Sequence, residues 1–362
     1  MDILVHTATI TYVYADSAIF KAFREHSGSI YYPNKQRWFN HDFDKYGLTF
    51  TCVAIGKEGF SMNTLSCKIT FSKLLEKKSR LDVMAASDFM AVHEKFYEVV
   101  HNFIPEIADL HDWYANRVDY CVNVNVGTNK EVQEYVRLLQ MSDIPYFMRK
   151  IRQKNGNYQF LPGSYYVVSK ARKSERKTGS CTINFYNKKE QLIYDRDVKG
   201  RLDITDDLLE QAEGMLRLEV QCHKPKIDYI RKKHGFDSAS VSYFLSWRIA
   251  FDILQDAVLR VTRDADFWSK NKAVTMLEQS DISENMKKKL KKLLDEVAVS
   301  SIYEIKKKYL EKGVRKETFS NYLALLEKNN INVCTIPRDH HISHLDSVWK
   351  LLSRGFKEEQ DL

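Results

Sequence analysis

Two short stretches of the chain each carry an acid in the middle of an apolar run, and a carboxylate in such a place has few chemical options. In residues 117–126, Val118, Tyr120, Val122, Val124 and Val126 alternate with Arg117, Asp119, Cys121 and Asn123, so a strand puts the two sets on opposite faces. In residues 214–222, Leu216, Leu218 and Val220 likewise stand opposite Arg217, Glu219 and Gln221. A buried carboxylate must pair with a cation or bind one, because an uncompensated charge is too costly. Two readings follow. Either Arg117 and Arg217 neutralise Asp119 and Glu219, or the two acids ligate a divalent ion, for which carboxylate and water ligands favour Mg2+ or Mn2+ over zinc. A third apolar stretch, residues 181–190, ends in Tyr186 followed by polar and basic residues. A lone tyrosine in a strand is ordinarily core, the chain has 20 of them, and periodicity does not single this one out.

Positioning these residues requires a sheet. Residues 49–55 and 65–71 are β-rich and flank a segment containing Gly56 and Gly59, which predicts a hairpin. Residues 87–103 place Phe89, Val92, Phe96, Val99, Val100 and Phe103 on one side of a helix that Pro105 closes. Thr128-Asn129-Lys130-Glu131 has the form of a capping box, which predicts a helix over 129–141 with Val132, Val136 and Leu139 inward. Residues 164–169 and 181–187 read as strands joined by a polar, basic loop. Two hairpin-and-helix units of this kind predict an α+β fold whose core is a ferredoxin-like, split βαβ antiparallel sheet with helices on one face. From about residue 240 the pattern turns helical, dividing the chain into 1–240 and a helical 241–362. Within the latter, residues 302–312, Gly313 and residues 316–329 resemble a helix-turn-helix.

Composition narrows the class. Hydrophobic residues at 44% and charged residues at 29% fit an ordinary globular protein, and no apolar run is long enough to span a membrane. The six cysteines form no Cys-x-x-Cys pair, which argues against a zinc site or a disulfide framework and for a reducing cytoplasm. The net charge of +8 is a weak pointer to nucleic acid; its placement is a better one. Residues 146–177 combine the cations Arg149, Lys150, Arg152, Lys154, Lys170, Arg172 and Lys173 with the rings of Tyr146, Phe147, Tyr158, Phe160, Tyr165 and Tyr166. Cations that track phosphates, interleaved with rings on which bases stack, suit a single-strand surface, although solvated strands with core aromatics would look the same. Lys316, opening the second helix of the C-terminal pair, is a further candidate contact. His340, His341 and His344 follow Pro337 and read as a surface cluster rather than a ligand set.

The order of the motifs resembles the rolling-circle replication initiators of small plasmids (the Rep_trans-type initiation factors), their conjugative relaxase relatives, and the gene II/X replication proteins of filamentous phages. Those families carry an Arg-x-Asp strand, matched by Arg117-Val118-Asp119; an aromatic-Tyr-polar-Lys strand end, matched by Phe185-Tyr186-Asn187-Lys188; and an Arg-x-Glu strand, matched by Arg217-Leu218-Glu219. The resemblance spans roughly residues 50–337. It implies that residues 1–240 nick and rejoin origin DNA, with Tyr186 as nucleophile, Asp119 and Glu219 holding a divalent metal, and Lys188 and Arg217 supplying positive charge. Lys188 would share the strand face of Tyr186. Tyrosine suits the task because it attacks a phosphodiester, releases a 3′-hydroxyl and keeps the 5′-phosphate covalently for rejoining.

The implied partners are an origin with a hairpin or single-stranded nick site, then a host helicase and polymerase, with a homodimer also open. Two positions depart from the family pattern: Asn184 stands where arginine is common, and Asn123 where a second acid is common. The alternatives are a conjugative relaxase acting on a transfer origin, or a non-enzymatic DNA-binding protein that kept the sheet.

Overall fold

A computed structural model describes residues 3–14, 17–57, 60–77, 81–152, 158–160, 163–170, 179–201, 203–337 and 342–353. It is an α+β protein built on a large antiparallel sheet. Among the described residues, eleven strands join in one sheet: β1 (Ile3–Tyr14), β2 (Ser29–Tyr32), β3 (Arg37–Asn40), β4 (Leu48–Lys57), β5 (Phe60–Thr70), β6 (Tyr114–Asn125), β7 (Met148–Arg152), β8 (Tyr158–Gln159), β9 (Ser164–Ser169), β10 (Cys181–Asn187) and β11 (Met215–His223). Their spatial order is β2-β3-β4-β5-β1-β6-β11-β10-β9-β7-β8, with antiparallel pairing throughout. The expected hairpin forms between β4 and β5, with Gly56 opposite Ser61. β6 and β11, the two acid-bearing strands, lie side by side at the centre, and β10 flanks β11.

Alternation then decides what each face carries. Val118, Tyr120 and Val122 of β6, Leu216, Leu218 and Val220 of β11, and Ile183 and Phe185 of β10 are buried together in the main core. Onto that face pack the helices Asn129–Met141, Lys224–His234 and Trp247–Thr262. The last of these lies beyond residue 240, yet its Ile249, Leu254 and Val258 belong to the same buried cluster as the sheet. Thr128 caps the helix Asn129–Met141 as its spacing predicts: its side chain accepts from the Glu131 amide, and Glu131 accepts from the Thr128 amide at 2.8 Å.

The opposite face is polar, and helices cover part of it too. Leu192 of the helix Lys188–Asp197 and Leu208 and Leu209 of the helix Asp206–Gln211 form a second, small apolar cluster with Leu81, Ile204 and Ala212. The Leu81 carbonyl accepts from Asn123 at 2.9 Å and from Arg217 at 3.1 Å, so this cluster sits over the polar side of β6 and β11. At the C-terminal end, the helices Ile302–Glu311 and Lys316–Lys328 are joined by a turn in which Gly313 takes φ +82°, a conformation favouring glycine. No helix of the described residues is long and apolar enough to cross a membrane.

The capping box makes a local prediction. Thr128→Ala should lower unfolding stability by about 1 kcal/mol in urea denaturation, while Thr128→Ser should leave it close to the parent.

Candidate active site on the polar face

Side chains pointing away from the main core line a cleft of about 1110 Å³ that includes His6, Lys68, Arg117, Asp119, Asn184, Tyr186, Lys188 and Glu219. Strand register brings them together. Asn184 stands opposite Glu219, Tyr186 opposite Arg217, Glu219 opposite Cys121, and Arg217 opposite Asn123. Tyr186 is therefore on the same face as both acids. Its hydroxyl donates to Glu219 Oε2 at 3.4 Å, and Glu219 Oε1 accepts from Gln221 at 2.7 Å.

The two carboxylates have different fates. Both oxygens of Asp119 meet Arg117, at 2.7 and 2.8 Å, and the Thr7 hydroxyl donates to one of them at 2.5 Å. Asp119 is buried, so the arginine-neutralised reading describes it well. Arg217 does not pair with Glu219 in the same way. Its Nε donates to Asn123 at 2.6 Å and Nη2 to the Leu81 carbonyl, while Nη1 has no hydrogen-bond partner. A divalent ion bridging Asp119 and Glu219 does not fit this arrangement, because the oxygens of Asp119 are already engaged by a guanidinium. The Asn123 side-chain oxygen accepts the bond from Arg217 Nε and holds Arg217 in place.

Burial sets the electrostatics. The phenol of Tyr186 is pushed well above its ordinary range by burial; Arg217 draws it back in part, and Glu219 raises it further. Lys188 is buried and its ammonium is driven down to about 7 by desolvation first and by Arg217 second, although it donates to Gln191 at 2.7 Å. The strand argument for Lys188 needs correction. β10 ends at Asn187, whose side chain caps the helix Lys188–Asp197 by accepting from the Glu190 amide. Lys188 reaches the cleft as the first residue of that helix, and Asn-x-x-Glu was the cue in the sequence.

His6 was missed. It falls where the pairing of β1 with β6 shifts register between Val5 and Thr7. Its Nδ1 is buried without a partner, and desolvation together with Arg217 and Lys188 keeps the imidazole well below its usual pKa. A search for a His-hydrophobe-His pair passes over it, since its neighbours come from other strands. Asn184 likewise leaves its Oδ1 buried and unpartnered.

The expected DNA-binding residues scatter more widely. Tyr165 is a correction: it is fully buried, its hydroxyl donates to the Asp143 carbonyl at 2.8 Å, and its ring packs on Phe185, so no base can stack on it. Arg149 is exposed, and the Lys150 ammonium sits 4.7 Å from the Phe160 ring centre. Lys170 and Lys316, far apart in sequence, meet over the ring of Tyr146 at 5.1 and 5.8 Å. Arg152 lies on β7, and Lys154, Arg172 and Lys173 fall outside the described residues.

A second polar group stands apart from the cleft. Among the described residues, one set brings three potential metal-ligating side chains within 4.8 Å of one another: Asp266, His344 and Asp346. His344 Nε2 lies 3.3 Å from Asp266 Oδ2 while its side chain stays partly exposed; His340 and His341 are outside the described residues. The group could hold a cation. In this structure the Lys350 ammonium stands there, 2.6 Å from the same Asp266 oxygen.

No protein-family model matches the chain, and none of the curated proteins matches it.

The depressed Lys188 has a thermodynamic signature. With a folded pKa of about 7 against an ordinary 10.5, the unfolded chain binds the extra proton between these values, so stability rises with pH across that window and the penalty is full below it. Relative to Lys188→Met, the parent should gain about 1.4 kcal/mol per pH unit between pH 7 and 10, and the variant should be the more stable at pH 6. Denaturation series at several pH values check this.

Proposed function

We propose that the chain nicks and rejoins DNA by tyrosine transesterification, as a rolling-circle replication initiator does, on a relaxase-like core formed by β6, β11 and β10. The observation that supports this reading is the Tyr186 hydroxyl facing Glu219 in a polar cleft, beside Lys188, with the buried Arg217 guanidinium behind them. A tyrosine serving only the core would point to the opposite face, where Phe185 lies.

In the proposed reaction the Tyr186 oxygen attacks a backbone phosphorus. The bond from phosphorus to the 3′ oxygen breaks, and the 5′-phosphate stays on the tyrosine. The phenol proton passes to Glu219, its hydrogen-bond acceptor, and the departing 3′ oxygen takes up a proton to become a hydroxyl that primes synthesis. Lys188, titrating near neutrality, is placed to return that proton. Arg217, buried behind the cleft lining, contributes through its field to stabilising the negative charge that grows on the phosphate. No metal step is derived, because Asp119 is committed to Arg117. Origin DNA is the proposed substrate, and host replication proteins are its proposed partners.

The reading is tested on a supercoiled plasmid carrying the neighbouring origin. Open circles with protein joined to a 5′ end are expected from the parent, and Tyr186→Phe should give none while retaining DNA binding. Glu219→Gln should slow nicking by about 10²- to 10⁴-fold, the range of a lost general base. Undiminished nicking by Tyr186→Phe removes the proposed nucleophile, and binding without nicking by the parent favours the non-enzymatic alternative.

A further inference from the structure

On the helix-covered side of the sheet, a groove of about 1340 Å³ runs between the helices Lys224–His234 and Trp247–Thr262 and reaches Gly179 and Ser180, just before β10. Tyr186 lies toward the other end of β10, about 20 Å along the strand at its usual rise, and on the other face. The groove is therefore separate from the cleft.

Three rings along it stay exposed: Tyr146 at 88%, Tyr229 at 57% and Phe147 at 38%. Each has a cation against it, and Tyr146 has a second, Lys316 at 5.8 Å. Lys170 stands 5.1 Å from the Tyr146 ring centre, Lys226 5.1 Å from that of Tyr229, and Arg260 5.6 Å from that of Phe147. Two acids, Asp252 and Asp256, also line the groove, but Lys233 at 3.8 Å and Arg260 at 2.7 Å answer them. Lys170 donates to the Tyr146 carbonyl at 2.7 Å, and neither it nor Lys226 has a carboxylate partner among the described residues.

We propose that this groove binds single-stranded DNA, with bases stacked on Tyr146, Phe147 and Tyr229 and phosphates held by Lys170 and Lys226. Exposed rings alternating with cations match a strand that offers flat bases and a regular negative backbone. A duplex keeps its bases stacked on one another and leaves the rings unused. An acidic peptide would satisfy the lysines and leave three aromatic faces in water. The site does not depend on Tyr186 acting as a nucleophile, since it lies beyond the cleft and needs no covalent step.

Fluorescence anisotropy on the full chain tests it, with a labelled oligo-dT of about 12 nucleotides, within the usual range of single-strand sites. Tyr146→Ala and Tyr229→Ala, both changes at exposed positions, should each weaken binding by about five- to hundredfold. Lys226→Ala should reduce the slope of log affinity against log salt by about 0.7. A parent chain that binds the oligonucleotide but leaves the origin plasmid uncut would sink only the enzymatic reading and leave the groove assignment standing. The groove assignment is overturned if the double tyrosine variant binds like the parent. It is equally overturned if a blunt duplex binds as tightly as oligo-dT, if poly-glutamate displaces the oligonucleotide at equal concentration, or if oligo-U binds tenfold tighter than oligo-dT.

Discussion

Arg217 carries a full positive charge with no exposed surface, and the polar groups around it are arranged in response. Taking a guanidinium out of water is costly unless hydrogen bonds and opposite charge replace its hydration. Asn123 and the Leu81 carbonyl supply part of that replacement, and the small apolar cluster of Leu81, Leu192 and Leu208 shields the rest. The remaining field falls on its neighbours. It helps to keep His6 neutral and to depress Lys188, and it offsets part of the burial that raises Tyr186.

The same logic explains why two similar strands treat their acids differently. On β6 the arginine two residues before the acid folds back onto it, giving a closed pair whose oxygens are spent. On β11 the corresponding arginine turns toward Asn123, and Glu219 is left facing Tyr186 and Gln221. An acid at position 123 would have drawn Arg217 into an ion pair; the neutral amide holds it without cancelling its charge. The neutral Asn123 thus leaves the Arg217 charge uncancelled behind Glu219 and Tyr186.

Much of the frame was legible because it rests on local rules. Alternation in residues 117–126 and 214–222 assigned the faces of β6 and β11, and the Thr128 box located the helix Asn129–Met141. Long-range placement was not legible. Tyr165 and Tyr166 adjoin in sequence, yet pleating sends the first into the core, and a count of aromatics in a basic segment ignores that parity. His6 comes to line the cleft through a register shift in β1, and His344 comes to face Asp266 through pairing of Phe267–Trp268 with His344–Leu345, neither of which a single sequence specifies.

The account turns on one oxygen atom. Trapping the protein on a cleaved origin strand, digesting it and sequencing the peptide that carries the nucleotide would identify the attacking residue directly. The account predicts the nucleotide on Tyr186, in the peptide shared with Asn184 and Phe185. Attachment at Tyr194, which lines the same cleft from the neighbouring helix, or at any other residue, would contradict it.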